Sequence, residues 1–143
     1  MEHLVALHKH WLVADAAKEV ATVNIGGDHE LPEQLADLTE RLSSFSRLSV
    51  FYGLIYVVIE GYKEMKYRDD DIDALLGNEE LVETLRLFRN STFHYQKQPI
   101  PEKARKFIES EGSETWIKEV HLAFKRFFER NLPIHEMLQL FSS

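Results

Sequence analysis

Cysteine is absent from this 143-residue chain, and glycine and proline are scarce, with six and four residues. The lack of cysteine excludes disulfides, thiolate nucleophiles and every cysteine-based zinc or iron–sulfur site. The longest apolar run, residues 50–59, is far shorter than the roughly 18 residues that a membrane span requires. The N-terminus also lacks the basic start and continuous apolar stretch of a secretory signal. We therefore expect a soluble cytoplasmic protein with no membrane partner.

Several catalytic signatures are missing as well. Gly26-Gly27 lacks the flanking pattern of a phosphate-binding loop, and no Gly-x-Ser-x-Gly elbow is present. Glu119-Val120-His121 has the wrong spacing for a di-iron site, and residues 69–73 lack the spacing of a calcium-binding loop. His121 and His135 stand isolated from other candidate ligands. The sequence therefore predicts neither a metal site nor a cofactor.

The composition is that of one ordinary globular domain spanning residues 1–143. Apolar residues make up 44% of the chain, charged residues 29% and aromatic residues 11%, nine of them Phe. A chain of this length buries a substantial core without metal or disulfide support. We expect a single packed domain.

Apolar spacing predicts two helices in the first half of the chain. Leu4, Leu7, Trp11 and Ala14 recur at helical spacing, which predicts a first helix over residues 2–23. Residues 24–28 end it. A long central helix should begin after Pro32 and reach about Tyr62. Its apolar positions follow the helical period: Leu35, Leu38, Leu42, Phe45, Tyr52, Ile55 and Ile59.

Shorter helices follow in the second half. We expect helices over residues 72–76, from an Asn78 N-cap to about Tyr95, over residues 101–110, from a Ser113 cap to Asn131, and over residues 134–141. No strand-like alternation, repeat or interdomain linker is visible. The predicted fold class is all-α, an up-and-down helical bundle of four to five main helices.

Positive charge is concentrated in one stretch of an acidic chain. The net charge is −7 overall, but residues 81–106 carry +4, whereas residues 1–80 carry −9 and residues 107–143 carry −2. The cations of this stretch are Arg86, Arg89, Lys97, Lys103, Arg105 and Lys106. They could attract a few phosphates but could not wrap a duplex. A solvated helix face is the alternative interpretation.

Within the basic stretch, Arg89 is followed directly by Asn90 and precedes His94 by five positions, near the predicted end of a helix. This Arg-Asn-x-x-x-His pattern, in a small all-helical chain, resembles the signature of the HEPN superfamily. The resemblance implies a metal-independent endoribonuclease, and the role expected for it is that of a toxin or defence component with an antitoxin partner. It also implies a twofold homodimer that brings two copies of the motif into one cleft.

The chemistry of the three side chains agrees with that role. Metal-free RNA cleavage requires a proton to leave a 2′-OH, a pentavalent phosphorane to be stabilised, and the leaving 5′-oxygen to be protonated. Histidine exchanges protons at cellular pH, so His94 is the candidate base or acid. Arg89 offers a planar fork of donors to phosphate oxygens, and Asn90 would orient one of these groups. Arg86, Lys97, Lys103, Arg105 and Lys106 are the predicted RNA-binding residues.

Two alternatives stay open. Five residues on an ideal helix separate two side chains by about 140°, so Arg89 and His94 point apart within one protomer. The superfamily also includes non-catalytic members, so the chain could instead be a HEPN-like module that binds a protein or a nucleotide. It could also be a helical structural or adaptor domain of no known family, in which the two residues simply complement a helix end. The five tyrosines could stack bases, although helical spacing favours a core or interface role for most of them: Tyr52, Tyr56, Tyr62, Tyr67 and Tyr95.

Overall fold

The structure, a computed structural model, describes residues 1–22 and 32–142. These residues form helices and no strand, which confirms the all-α prediction. The helices are α1 (Glu2–Thr22), α2 (Glu33–Glu64), α3 (Asp70–Leu76), α4 (Glu79–Phe93), α5 (Glu102–Glu109), α6 (Ser113–Asn131) and α7 (Ile134–Phe141). The predicted break at residues 24–28 lies outside the described residues.

Four helices form the body of the bundle, and neighbours in the chain run in opposite directions. On α1 and α2, Leu7 lies against Gly61 near one end, while Ala21 and Leu48 line one cavity near the other. The order of these contacts makes α1 and α2 antiparallel.

The other main helices complete the same pattern. Arg89 of α4 reaches Glu60, and Phe93, one turn later, lies over Gly53, so α4 runs antiparallel to α2. α6 is antiparallel to α1, because Phe128 packs near His8 whereas His121 bonds Asp15. The predicted up-and-down bundle is therefore confirmed, with α3, α5 and α7 as short additions.

The core is rich in aromatic rings. Tyr62 meets Phe124 and Phe127 edge to face, and Phe88 meets Phe107 in the same way. Edge-to-face pairs place the positive rim of one ring on the negative face of another, which adds to the gain from burial. The predicted apolar positions of α1 are all buried here: Leu4, Leu7, Trp11 and Ala14.

Two predicted N-caps have different outcomes. Asn78 caps α4 as predicted, because its Oδ1 accepts a hydrogen bond from the backbone N–H of Leu81 at 3.2 Å. The prediction that Ser113 caps α6 is wrong. The cap of α6 is Gly112 at φ +75°, a left-handed conformation that glycine adopts without strain, and Ser113 is the first residue inside the helix.

The helix α2 is central for only part of its length. Its buried residues begin at Ser49, whereas Leu35, Leu38 and Leu42 are 47%, 53% and 37% exposed. By length and composition alone α2 could cross a membrane. The core helix of a soluble bundle passes the same test, and α2 buries one face against α1, α4 and α6.

Candidate functional site

The motif residues lie where α4 ends. Arg89 and Asn90 belong to its last turns, and His94 is the first residue beyond it, with the extended conformation φ −116° and ψ 145°. Within the described residues His94 is exposed and has no hydrogen-bond or ion-pair partner. The imidazole is therefore accessible to a ligand but is not held in one orientation by a neighbouring side chain.

His94 borders an open groove of about 350 Å³ between α2 and the segment that links α4 to α5. One wall is formed by α2, through Phe45, Ser46, Ser49 and Val50. The opposite side contains His94, Gln96 and Gln98, together with Ser91, Thr92, Pro99, Pro101 and Ala104. The groove therefore combines apolar surface with hydroxyl, amide and imidazole groups.

Arg89 is held against the outer face of α2. Its Nη1 lies 3.2 Å from Oε2 of Glu60, and its guanidinium carbon is 4.9 Å from the ring centroid of Tyr56. The Nε of Arg89 is buried and has no hydrogen-bond partner among the described residues. Burial chiefly raises the pKa of Tyr56, and the Glu60 carboxylate adds to this while Arg89 opposes it. The arginine is thus positioned, but its charge is already partly compensated.

Arg89 and His94 do not converge within one protomer. Arg89 stacks on Tyr56, whereas His94 shares its groove with Ser49, seven residues away along α2. At 1.5 Å per residue this corresponds to about 10 Å along the helix axis. The ring of Phe93 packs on α2 between these two positions, at Gly53. Its Cε2 would lie 2.9 Å from a Cβ placed on Gly53. Arg89 and His94 therefore face different parts of α2 within one protomer.

Asn90 completes the predicted trio. It is half-buried on α4, four residues before His94, and makes no hydrogen bond with another described residue. His94 lies beyond the end of α4, and Asn90 is not among the residues that line its groove. The amide of Asn90 is available to a ligand at the end of α4.

The predicted RNA-binding cations differ in how far their charge is compensated. Arg86 donates two hydrogen bonds to Glu83, at 2.9 and 2.6 Å, and these bonds hold the pKa of that carboxyl below its usual range. Arg105 pairs more loosely with Glu109, at 3.5 Å. Three lysines, exposed in α5 and the preceding loop, form no ion pair with another described residue: Lys97, Lys103 and Lys106.

The sequence did not predict one cluster of polar side chains, formed by Asp15, His121 and Trp11. His121, expected to be isolated, is buried in α6 with its Nε2 2.9 Å from Oδ1 of Asp15, and its ring stacks on Trp11. The indole Nε1 of Trp11 donates to the backbone carbonyl of His121 at 3.2 Å. The partners are 106 and 110 residues apart, so no local pattern in the sequence indicates this pairing.

The described residues contain no group of three or more His, Asp or Glu side chains placed to hold a metal ion. A second cavity of about 360 Å³ lies beside α7 and is mainly apolar, with Trp11, Phe128 and Leu138 among its lining residues. His8, Lys125 and Glu129 also line it. Of the two, only the His94 groove brings titratable and amide groups together with motif residues.

Comparisons of the chain with protein-family models, with curated proteins and with solved structures return no match. The case for a function therefore depends on the residues described above.

Proposed function

We propose that the protein is a metal-independent endoribonuclease of the HEPN type, acting as a homodimer with its active site at the end of α4. The observation that carries the proposal is the exposed His94, without a partner among the described residues, in a polar groove at the end of the helix that carries Arg89 and Asn90. A toxin or defence role, with an antitoxin as protein partner, belongs to the same proposal.

The reaction assigns a separate task to each side chain. One imidazole removes the proton of the 2′-OH, whose oxygen attacks the phosphorus atom. The bond to the 5′-oxygen breaks, water protonates that oxygen, and a 2′,3′-cyclic phosphate forms. Arg89 donates hydrogen bonds to the non-bridging oxygens as their charge develops, and Asn90 fixes the phosphate near His94.

A second copy of the chain would supply what one protomer lacks. Tyr56, on which Arg89 stacks, and Ser49, which lines the His94 groove, lie about 10 Å apart along α2, so Arg89 and His94 face different parts of that helix within one protomer. A twofold dimer would bring the Arg89 of one protomer near the His94 of its partner.

The N-terminal half of α2 is the surface that fits this second copy. At 100° per residue, Leu35, Leu38 and Leu42 fall on the helix face that carries Ser46, Ser49 and Gly53 further along. At Gly53 this face is covered by Phe93 of α4, and at Ser46 and Ser49 it forms a wall of the His94 groove. A partner that covers the three leucines would therefore lie next to His94.

One observation favours the non-catalytic alternative. Arg89 already pairs with Glu60, so phosphate would have to compete with a carboxylate for the guanidinium. In that alternative the groove binds a protein or a nucleotide without cleaving it.

Cleavage of RNA by the purified protein in the presence of a chelator separates the two functions. His94→Gln should lower the cleavage rate by roughly 10² to 10⁴-fold and remove the pH dependence near neutrality, because an amide exchanges no proton there. Arg89→Lys keeps the charge but loses the fork of donors, and should lower the rate by roughly 10²-fold or more.

His135→Gln, at an exposed position on α7, is the matched control and should cleave like the unchanged protein. Thermal unfolding of each variant shows whether the fold is intact. If His94→Gln and Arg89→Lys leave cleavage unchanged, the motif is not the active site.

A further inference from the structure

The segment after α4 has two different sides. His94, Gln96 and Gln98 all line the groove, whereas Tyr95 between them is 91% exposed and has no ring partner among the described residues. Every second side chain from 94 to 98 therefore faces α2. Of the five tyrosines, Tyr52 and Tyr62 are buried and Tyr56 and Tyr67 are half-buried, so Tyr95 alone presents its ring to solvent.

The groove has the size and surface of a site for one small planar group. Its volume of about 350 Å³ is at the lower end of small-molecule sites, which span roughly 300–1,000 Å³. Phe45 and Val50 supply apolar surface on the α2 side. A flat heterocycle could lie on them with its edge towards the opposite wall.

The side-chain hydrogen-bonding groups of the groove without a partner among the described residues are two glutamine amides and the His94 imidazole. The hydroxyls of Ser46, Ser49 and Thr92 already donate to carbonyls of their own helices, at 2.8, 2.8 and 3.0 Å. The amides of Gln96 and Gln98 form no hydrogen bond with another described residue. Each can donate one bond and accept one, which matches the adjacent donor and acceptor on an edge of adenine.

We propose that this groove is a pocket for one nucleobase of single-stranded RNA, read by Gln96 and Gln98, with adenine preferred, and that Tyr95 stacks the neighbouring base. The inference rests on the proposed ribonuclease function and names the substrate feature that the same site selects. Bases in a single strand can turn out and present their edges, whereas those in an A-form duplex cannot reach such a pocket. An exposed tyrosine ring is a stacking surface for any base.

Binding of short 2′-O-methyl oligonucleotides tests the pocket separately from cleavage, because the methyl group blocks the attacking oxygen. By fluorescence anisotropy, oligo(A) should bind at least about fivefold more tightly than oligo(U) or oligo(C), the low end for a bidentate amide–base contact. The double variant Gln96→Leu with Gln98→Leu should remove this difference. Gln139→Leu, at an exposed glutamine on α7, should retain it.

Tyr95→Leu should weaken binding of all three oligonucleotides by at least about fivefold, without changing their order. Phe141→Leu replaces an aromatic residue that is 85% exposed on α7, and should leave binding unchanged.

The outcomes separate this inference from the proposed function. An oligo(A) preference that depends on Gln96 and Gln98 supports the pocket, even if natural RNA is not cleaved and the ribonuclease proposal fails. RNA cleavage by the unchanged protein with equal binding of all three sequences overturns the pocket and leaves the ribonuclease proposal standing. Absence of binding to any oligonucleotide overturns both.

Discussion

The two halves of α2 carry the same apolar period but have opposite surroundings. In the C-terminal half, Ile55, Val58 and Ile59 are fully buried against neighbouring helices. In the N-terminal half, Leu35, Leu38 and Leu42 recur at helical spacing on the opposite face of the helix and remain exposed. Periodicity therefore indicates which face of a helix is apolar, but not what covers it. One half stabilises the fold, and the other offers surface beside the His94 groove.

Polar side chains also differ between the core and the His94 groove in whether they have hydrogen-bond partners. Around the buried half, Trp116 donates to the carbonyl of Leu75 at 2.9 Å, and Tyr62 donates to Asp73 at 2.7 Å. At the groove, the side chains of His94, Gln96 and Gln98 have no partner among the described residues. Buried polar groups without partners cost free energy, whereas exposed ones are satisfied by water and remain available to a ligand. We therefore expect stability and function to reside in different regions.

The largest expected effect on stability distinguishes the two halves of α2. Ile55→Ala removes a fully buried side chain and should lower the free energy of unfolding by about 2–5 kcal/mol. Leu38→Ala, at a position 53% exposed, should cost under about 0.5 kcal/mol in the isolated protomer. Urea unfolding at low protein concentration measures both, and equal losses would show that the two halves are not distinct.

The exposed half can also be tested through assembly. Leu38→Glu places a charge on the proposed dimer surface without entering the core, so it should shift the sedimentation coefficient from dimer to monomer and lower RNA cleavage in parallel. A protein that sediments as a monomer at micromolar concentration before any substitution would contradict the dimer.

A smaller effect is expected from the buried histidine. Burial lowers the pKa of His121, and Lys18 and Lys125 lower it further, although the hydrogen bond and charge of Asp15 oppose them. Because the unfolded chain binds this proton more readily, stability should be complete above about pH 6.5 and should fall as the pH drops below that value.

Urea unfolding at pH 7.5 and pH 5.5 measures the effect of His121, and His121→Gln should reduce the difference between the two conditions. His135→Gln changes an exposed histidine and serves as the control. A pH dependence that is the same in both variants would remove His121 from this account.

Most of the fold could be predicted from the sequence because its signals are local. Asn78 is followed by the apolar period of α4, and Pro133 marks the approach of the last helix. Cap geometry was harder to predict. Ser113 has the usual residue type for a cap, but the left-handed turn at Gly112 places it one position inside α6.

The candidate site could be predicted only in part. Local spacing identified Arg89, Asn90 and His94 and the angle that separates Arg89 from His94. It could not indicate that Glu60 pairs with Arg89, because that contact depends on how α2 and α4 cross. It also gave no signal for Gln96 and Gln98, which lie in a loop whose path is set by the packing of α5 on α4.

The central claim is that Arg89 of one protomer acts with His94 of the other, and a heterodimer tests it most directly. Co-expression of Arg89→Lys and His94→Gln chains with different tags, followed by tandem purification, yields dimers with one copy of each variant. The unchanged dimer has two Arg89–His94 pairs across its interface. The heterodimer retains one of them, formed by Arg89 of the His94→Gln chain and His94 of the Arg89→Lys chain. We predict that it recovers about half of the cleavage rate of the unchanged dimer, whereas each variant homodimer stays near background. A heterodimer as inactive as the two homodimers would contradict the shared site.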